Sequence, residues 1–154
     1  TLKQRIDSLR VTSGDQMVDI VAHSMGGLVT RTAIRRFGAD GIRSVTTLGT
    51  PHHGTSLARI ALGRCGKELK LGSTLIRQLN EVQPMAPSLP GGFMSILTYD
   101  DNLVAPQDTA RLDGADNVPI SGVGHASLLT SPKVFALVRE RLETLDARAL
   151  QPQK

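Results

Sequence analysis

Residues 18–29 read Val-Asp-Ile-Val-Ala-His-Ser-Met-Gly-Gly-Leu-Val, and this stretch constrains the fold more tightly than any other. Val18, Ile20 and Val21 lead as a β-forming run into Ser24, while Leu28, Val29, Ala33, Ile34 and Phe37 follow at helical spacing. The chain must therefore turn sharply from strand to helix at the serine. Such a turn lifts the hydroxyl clear of the backbone. It demands small residues two positions before and after the serine, because larger ones would collide with the adjoining strand and helix. Ala22 and Gly26 meet that demand, so the pattern is G-x-S-x-G with alanine in the first place. A serine that only caps a helix needs neither His23 nor the paired glycines Gly26 and Gly27. The stretch is read as a nucleophile elbow in preference to an N-cap.

The flanking sequence supplies the context an elbow requires. Leu2, Ile6 and Leu9 recur at helical spacing ahead of Ser13 and Gly14, which predicts a helix over 2–10, and the elbow strand is expected over 17–22. Beyond the punctuation of Gly38 to Gly41, residues 42–48 form the next β-pattern. Strand, helix and strand in that compass make a βαβ unit with parallel strands and a right-handed crossover, placing a site at the carboxyl ends of the strands.

From Pro51 to Gly92 the pattern loosens. Residues 57–62 and 74–80 suggest two short helices, the second capped by Ser73, and Pro84, Pro87 and Pro90 close the segment. A lid above the strand ends and ordinary packing helices would be equally amphipathic, so both readings stay open. His52 and His53 lack a third ligand at metal spacing and are read as shaping a loop, with no metal site.

Residues 93–99 form a further apolar strand, followed at once by Asp100 and Asp101, and an acid there lies at the carboxyl edge of the sheet. Residues 118–121 make the last strand, where Pro119 suggests an edge. His125 then stands on a loop with Gly122 and Gly124 before it and Ala126 and Ser127 after it, which leaves room beside the imidazole. Ser131 and Pro132 provide a cap and a first helical residue for a helix whose apolar stripe is Val134, Leu137, Val138, Leu142 and Leu145; residues 151–154 are expected to fray.

Composition narrows the classes. A chain of 154 residues, 40% hydrophobic and 21% charged, makes one globular domain at most. The net charge of +4 is scattered, and with 3% aromatic residues there is no stacking platform for nucleic acid. No apolar run approaches the roughly 20 residues of a membrane span. Cys65 is the single cysteine, so no intrachain disulfide exists, and it is read as a passive small side chain.

Three phrases resemble bacterial lipases of the α/β-hydrolase superfamily. They are residues 22–29 (AHSMGGLV), residues 47–55 (TLGTPHHGT), and residues 112–125 (LDGADNVPISGVGH) with Leu128 and Leu129; the last is similar to the histidine end of the small secreted Bacillus-type lipases. The resemblance implies an α/β-hydrolase fold, a mostly parallel sheet with helices on both faces. It implies a Ser24, Asp101, His125 triad in the hydrolase order. Asp101 is preferred over Asp100 because the acid of these lipases stands three residues before a valine, here Val104. The backbone N–H of Met25 is the oxyanion donor this sequence offers.

The same resemblance implies hydrolysis of carboxylic esters, triacylglycerols included, by an acyl-enzyme route with no cofactor, on lipid or ester substrates at a lipid–water interface, in a secreted protein. Acyltransfer or polyester cleavage would use the same triad, and a silent interaction domain is the reading from another class. Because the resembled elbow lies near the middle of its domain, residues 1–150 are expected to be the C-terminal portion of one catalytic domain, with a lid or cap segment at 51–92. The first sheet strands and a loop with the second oxyanion donor would stand upstream. On that expectation the 154-residue chain alone is marginally stable, pairs through the open edge of its elbow strand, and hydrolyses esters poorly.

Overall fold

The computed structural model describes residues 1–59, 64–81 and 89–149. Four strands, β1 (Val18–His23), β2 (Ile42–Leu48), β3 (Phe93–Thr98) and β4 (Asp116–Ile120), form one sheet in the order β1-β2-β3-β4. Every neighbouring pair is parallel. The elbow helix α2 (Met25–Phe37) crosses from β1 to β2 as the βαβ pattern requires. His23 pairs with Leu48, and Thr98 with Ile120, so the loops that leave all four strands emerge along one edge of the sheet.

Helices cover both faces. Ile6 of α1 (Leu2–Ser13) and Ile34 of α2 pack with Val45 and Phe93 on one face. On the other, Val134 of α5 (Pro132–Ala149) packs with Leu48, Met94, Ile96 and Ile120. Alternate residues of β2 and β3 therefore serve opposite layers, and the whole of β3 is buried, which is why it reads as a continuous apolar run and not as an alternation. β1 differs. It is an outer strand of the described sheet and Val21 is 47% exposed. At the opposite edge lies β4, where Pro119 removes an N–H that a central strand would need.

Local chemistry sets the ends of the elements. Thr1 and Gln4 cap α1 reciprocally, and Gly14 ends it in the left-handed region at φ 78°. Asp19 of β1 accepts hydrogen bonds from the Arg43 guanidinium and, at 2.6 Å, from Ser44 Oγ, while Arg43 also reaches Asp146 of α5 at 2.6 Å, tying β1, β2 and α5 together.

Between β2 and β3 the structure departs from the sequence expectation. Residues 56–59 form a 3-10 turn where a helix over 57–62 was expected, and residues 60–62 lie outside the described residues. A five-residue helix α3 (Arg64–Glu68) follows, too short to show any apolar period. A bridge between Thr55 and Lys70 ties the base of this excursion. The helix α4 (Thr74–Glu81) starts where Ser73 Oγ accepts the Ile76 N–H at 3.2 Å, and it buries Ile76 and Leu79 against Leu28 of α2. Pro84 and Pro87, and the tail 151–154, also lie outside the described residues.

Candidate active site

Ser24 sits between β1 and α2 at φ 54° and ψ −126°. It is the single non-glycine residue at positive φ among the described residues. Strain of this kind survives only where the surroundings enforce it, and they do so here. The Ser24 N–H donates to Leu48 O at 2.9 Å, and the Ser24 carbonyl accepts both Thr50 Oγ1 at 2.8 Å and the Gly27 N–H at 3.1 Å. The tight fit falls on Gly27. A Cβ there would lie 2.3 Å from Thr50 Oγ1 and 2.8 Å from Thr47 Cγ2, so only glycine lets α2 approach the end of β2 this closely. Gly26, two positions after the serine, is less confined, since its Cβ would meet Ala22 Cβ at an ordinary 3.7 Å. The steric demand read from the sequence thus rests one residue further on.

The loop after β3 separates the two aspartates. Asp101 is buried, and its Oδ2 lies 2.8 Å from Nδ1 of the equally buried His125. Its Oδ1 accepts the N–H groups of Leu103 at 2.9 Å and Val104 at 2.7 Å, an Asx turn that aims the other oxygen at the imidazole. Burial raises the Asp101 carboxyl, but hydrogen bonds from His125, Leu103 and Val104 outweigh it and hold the group below its ordinary value. Asp100, one residue earlier, turns outward and accepts the Gly122 N–H at 2.6 Å.

An ionised carboxylate only accepts, so His125 must carry its proton on Nδ1, which leaves the Nε2 lone pair free. His125 is further held by His23, whose Nε2–H donates to the His125 carbonyl at 3.0 Å with the rings 4.7 Å apart. Burial, the largest influence, lowers the His23 imidazole below its usual value, and the nearby His125 adds to this against the pull of its carbonyl and of Asp101.

Ser24 and His125 line the same cleft of about 270 Å³, walled otherwise by residues that include Pro51, Leu57, Leu69, Leu103 and Val104. No hydrogen bond joins the two among the described residues. Met25 opens α2, so its N–H has no acceptor within the helix and stands beside the serine at the positive end of the helix dipole.

Behind the site lies a polar network that the sequence did not reveal. Arg31 of α2 is buried, and its guanidinium donates to Leu79 O at 2.7 Å, Asn80 Oδ1 at 2.8 Å and His52 O at 3.3 Å, fastening α4 and the loop after β2 to the elbow helix. Burial pulls Arg31 down to about 10. Its Nη1 also points at His52 Nδ1 at 3.4 Å; a guanidinium cannot accept, so Nδ1 does, and Nε2–H of His52 donates to Thr47 Oγ1 at 3.1 Å. Burial first, then Arg31 and His53, hold the His52 imidazole well below its usual value. Among the described residues no cluster of three or more His, Cys, Asp or Glu could hold a metal, and no helix is long and apolar enough to cross a membrane.

The family profile described as a PGAP1-like alpha/beta domain matches residues 4–62, the segment that runs from within α1 through the elbow and past β2. The mature lipase of Bacillus licheniformis superposes with a TM-score of 0.73 at 18% identity, over 94% of this chain and 71% of that one. The chain has the α/β-hydrolase fold. A Listeria innocua protein matches this hydrolase fold at 0.66 with 19% identity, over 92% of this chain and 64% of its own length. A Paleococcus ferrophilus monoacylglycerol lipase matches at 0.55 with 16% identity, over 92% of this chain and 72% of that one. Against the Listeria chain the fold described here spans less than two thirds of the neighbour's length.

Proposed function

We propose that this protein is a serine hydrolase that cleaves carboxylic esters, with Ser24 as nucleophile, His125 as general base and acid, Asp101 as the group that orients His125, and the Met25 N–H as an oxyanion donor. The observation that carries the reading is the strained Ser24 sharing one cleft with a His125 whose Nδ1 is taken by a buried Asp101. A serine hydroxyl is a poor nucleophile at neutral pH, so attack on an ester carbonyl requires a base. Nε2 of His125 removes the hydroxyl proton as Oγ bonds to the carbonyl carbon, and the carbonyl oxygen takes the displaced electron pair beside the Met25 N–H. Collapse of this oxyanion expels the alcohol, which leaves with the proton from His125. Water then repeats the sequence on the acyl-enzyme, giving the free acid and restoring Ser24.

The apolar walls of the cleft support an ester with a hydrocarbon acyl group, and the two lipases among the fold neighbours support the lipase class. Secretion belongs to the same proposal and rests on the sequence resemblance. A second oxyanion donor would come with a further strand on the outer edge of β1, which pairs only with β2 among the described strands.

A panel of p-nitrophenyl esters from acetate to palmitate, assayed with the full-length protein and its Ser24→Ala variant, tests the reading. Hydrolysis that the variant loses supports it. Equal rates from both proteins would overturn it.

A further inference from the structure

The cleft over Ser24 has a neighbour. A second apolar cavity, of about 420 Å³, runs along α2 past Met25, Val29, Ala33 and Phe37. Met25 and Phe37 are the first and last residues of the 13-residue helix, so at 1.5 Å rise per residue the groove follows about 18 Å of it. Leu69 lines both cavities. It is fixed there by its backbone and by packing: its carbonyl accepts the Thr55 N–H at 2.8 Å, the bridge between Thr55 and Lys70 follows at once, and its side chain packs on the Leu28, Ile76 and Leu79 cluster. A side chain held at main chain and side chain alike is a wall and not a mobile flap.

We propose that Leu69 is the residue that sets acyl-chain length, by separating the cleft that holds the reacting ester from the apolar groove along α2. The inference rests on the serine-hydrolase reading. With Leu69 in place, an acyl chain entering over Ser24 fills about 270 Å³ and stops against the isobutyl group. Removing that group joins the two spaces and lets a longer chain continue over Val29 toward Phe37. Each methylene that passes from water into the groove then adds about fourfold to the specificity for the longer ester.

The test measures kcat/KM for p-nitrophenyl butyrate and p-nitrophenyl laurate in full-length protein. Leu69→Ala raises the laurate-to-butyrate ratio by at least about tenfold, the yield of two or more newly buried methylenes. Leu69→Phe thickens the wall and lowers the ratio. Val29→Arg added to Leu69→Ala places a charge in the groove and cancels the gain. Circular dichroism establishes that each variant is folded, and Leu69→Val, which removes a single methylene, gives the same direction with a smaller rise should the alanine variant not fold. A ratio unmoved by truncation, or a gain that survives Val29→Arg, overturns the inference while leaving the hydrolase reading intact. A wild-type protein that hydrolyses neither ester overturns the hydrolase reading itself.

Discussion

Oδ2 of Asp101 lies 2.8 Å from Nδ1 of His125, and both side chains are closed off from water. A hydrogen bond so placed strengthens as the imidazole gains a proton, because low dielectric magnifies the attraction between the charges that result. It also fixes the tautomer that leaves Nε2 free to face the cleft.

That relation separates the adjacent aspartates. Asp101→Asn would present an amide that can donate toward Nδ1 and favour the wrong tautomer, so turnover should fall by about 10⁴. Asp100→Asn touches only the Gly122 N–H and should leave turnover within a few-fold. Steady-state rates on a p-nitrophenyl ester compare the two, and the reverse ranking would transfer the role to Asp100.

Gly49 lies directly beneath the pair. At φ 56°, its added Cβ would stand 2.7 Å from Leu128 Cδ1 and 3.2 Å from both Asp101 Oδ2 and His125 Nδ1. Gly49→Ala should cost about 1–3 kcal/mol from overpacking in addition to about 1–2 kcal/mol for the left-handed backbone, and it should depress turnover by displacing His125. Gly14→Ala, at φ 78° with nothing within 4 Å, isolates the backbone cost and should leave activity untouched. Urea unfolding and an ester assay on both variants separate crowding from strain.

His52 couples the fold to pH. Its folded imidazole is held well below the ordinary value, whereas the unfolded chain binds a proton near 6.5. Below that pH the unfolded state therefore carries more protons, so stability falls as pH falls. Lowering the pH from 7.5 to 5.5 therefore weakens the fold through this residue. His23, also lowered, acts in the same direction, and the depressed carboxyls of Asp101 and Asp19 add theirs only below about pH 4. Unfolding midpoints at the two pH values should show a smaller drop for His52→Gln than for wild type. An equal drop would place the His52 proton elsewhere.

Arg31 is a second buried support. Arg31→Lys keeps the charge but not the planar fork that reaches Leu79 O, Asn80 and His52 O together, and should cost about 2–3 kcal/mol. Thermal unfolding checks it, with the packing of α4 on α2 expected to loosen first.

The sequence carried the strands, the elbow and the terminal helix because each has a period or a punctuation mark of its own. Residues 42–48 emerged as β2 without change, and Ser131 with Pro132 marked the start of α5. The elbow strand runs one residue later than expected because its pairing with β2 continues to His23, opposite Leu48. What the sequence hid were long-range effects. Gly27 is confined by Thr50, and Arg31 finds Leu79 and His52, through contacts 21 to 48 residues apart that no local pattern encodes. Nor could spacing reveal that Gly49 packs under the Asp101–His125 pair. A basic residue on an otherwise apolar face of α2 was the one available signal for Arg31, and it reads equally well as a solvated charge.

The nucleophile is the central claim, and covalent labelling tests it most directly. Full-length protein treated with a fluorophosphonate, digested and mapped by mass spectrometry should carry one adduct, on the peptide containing Ser24. Ser24→Ala should abolish it while leaving the circular dichroism spectrum nearly unchanged. An adduct on another residue, or folded wild-type protein that takes none, would contradict the account.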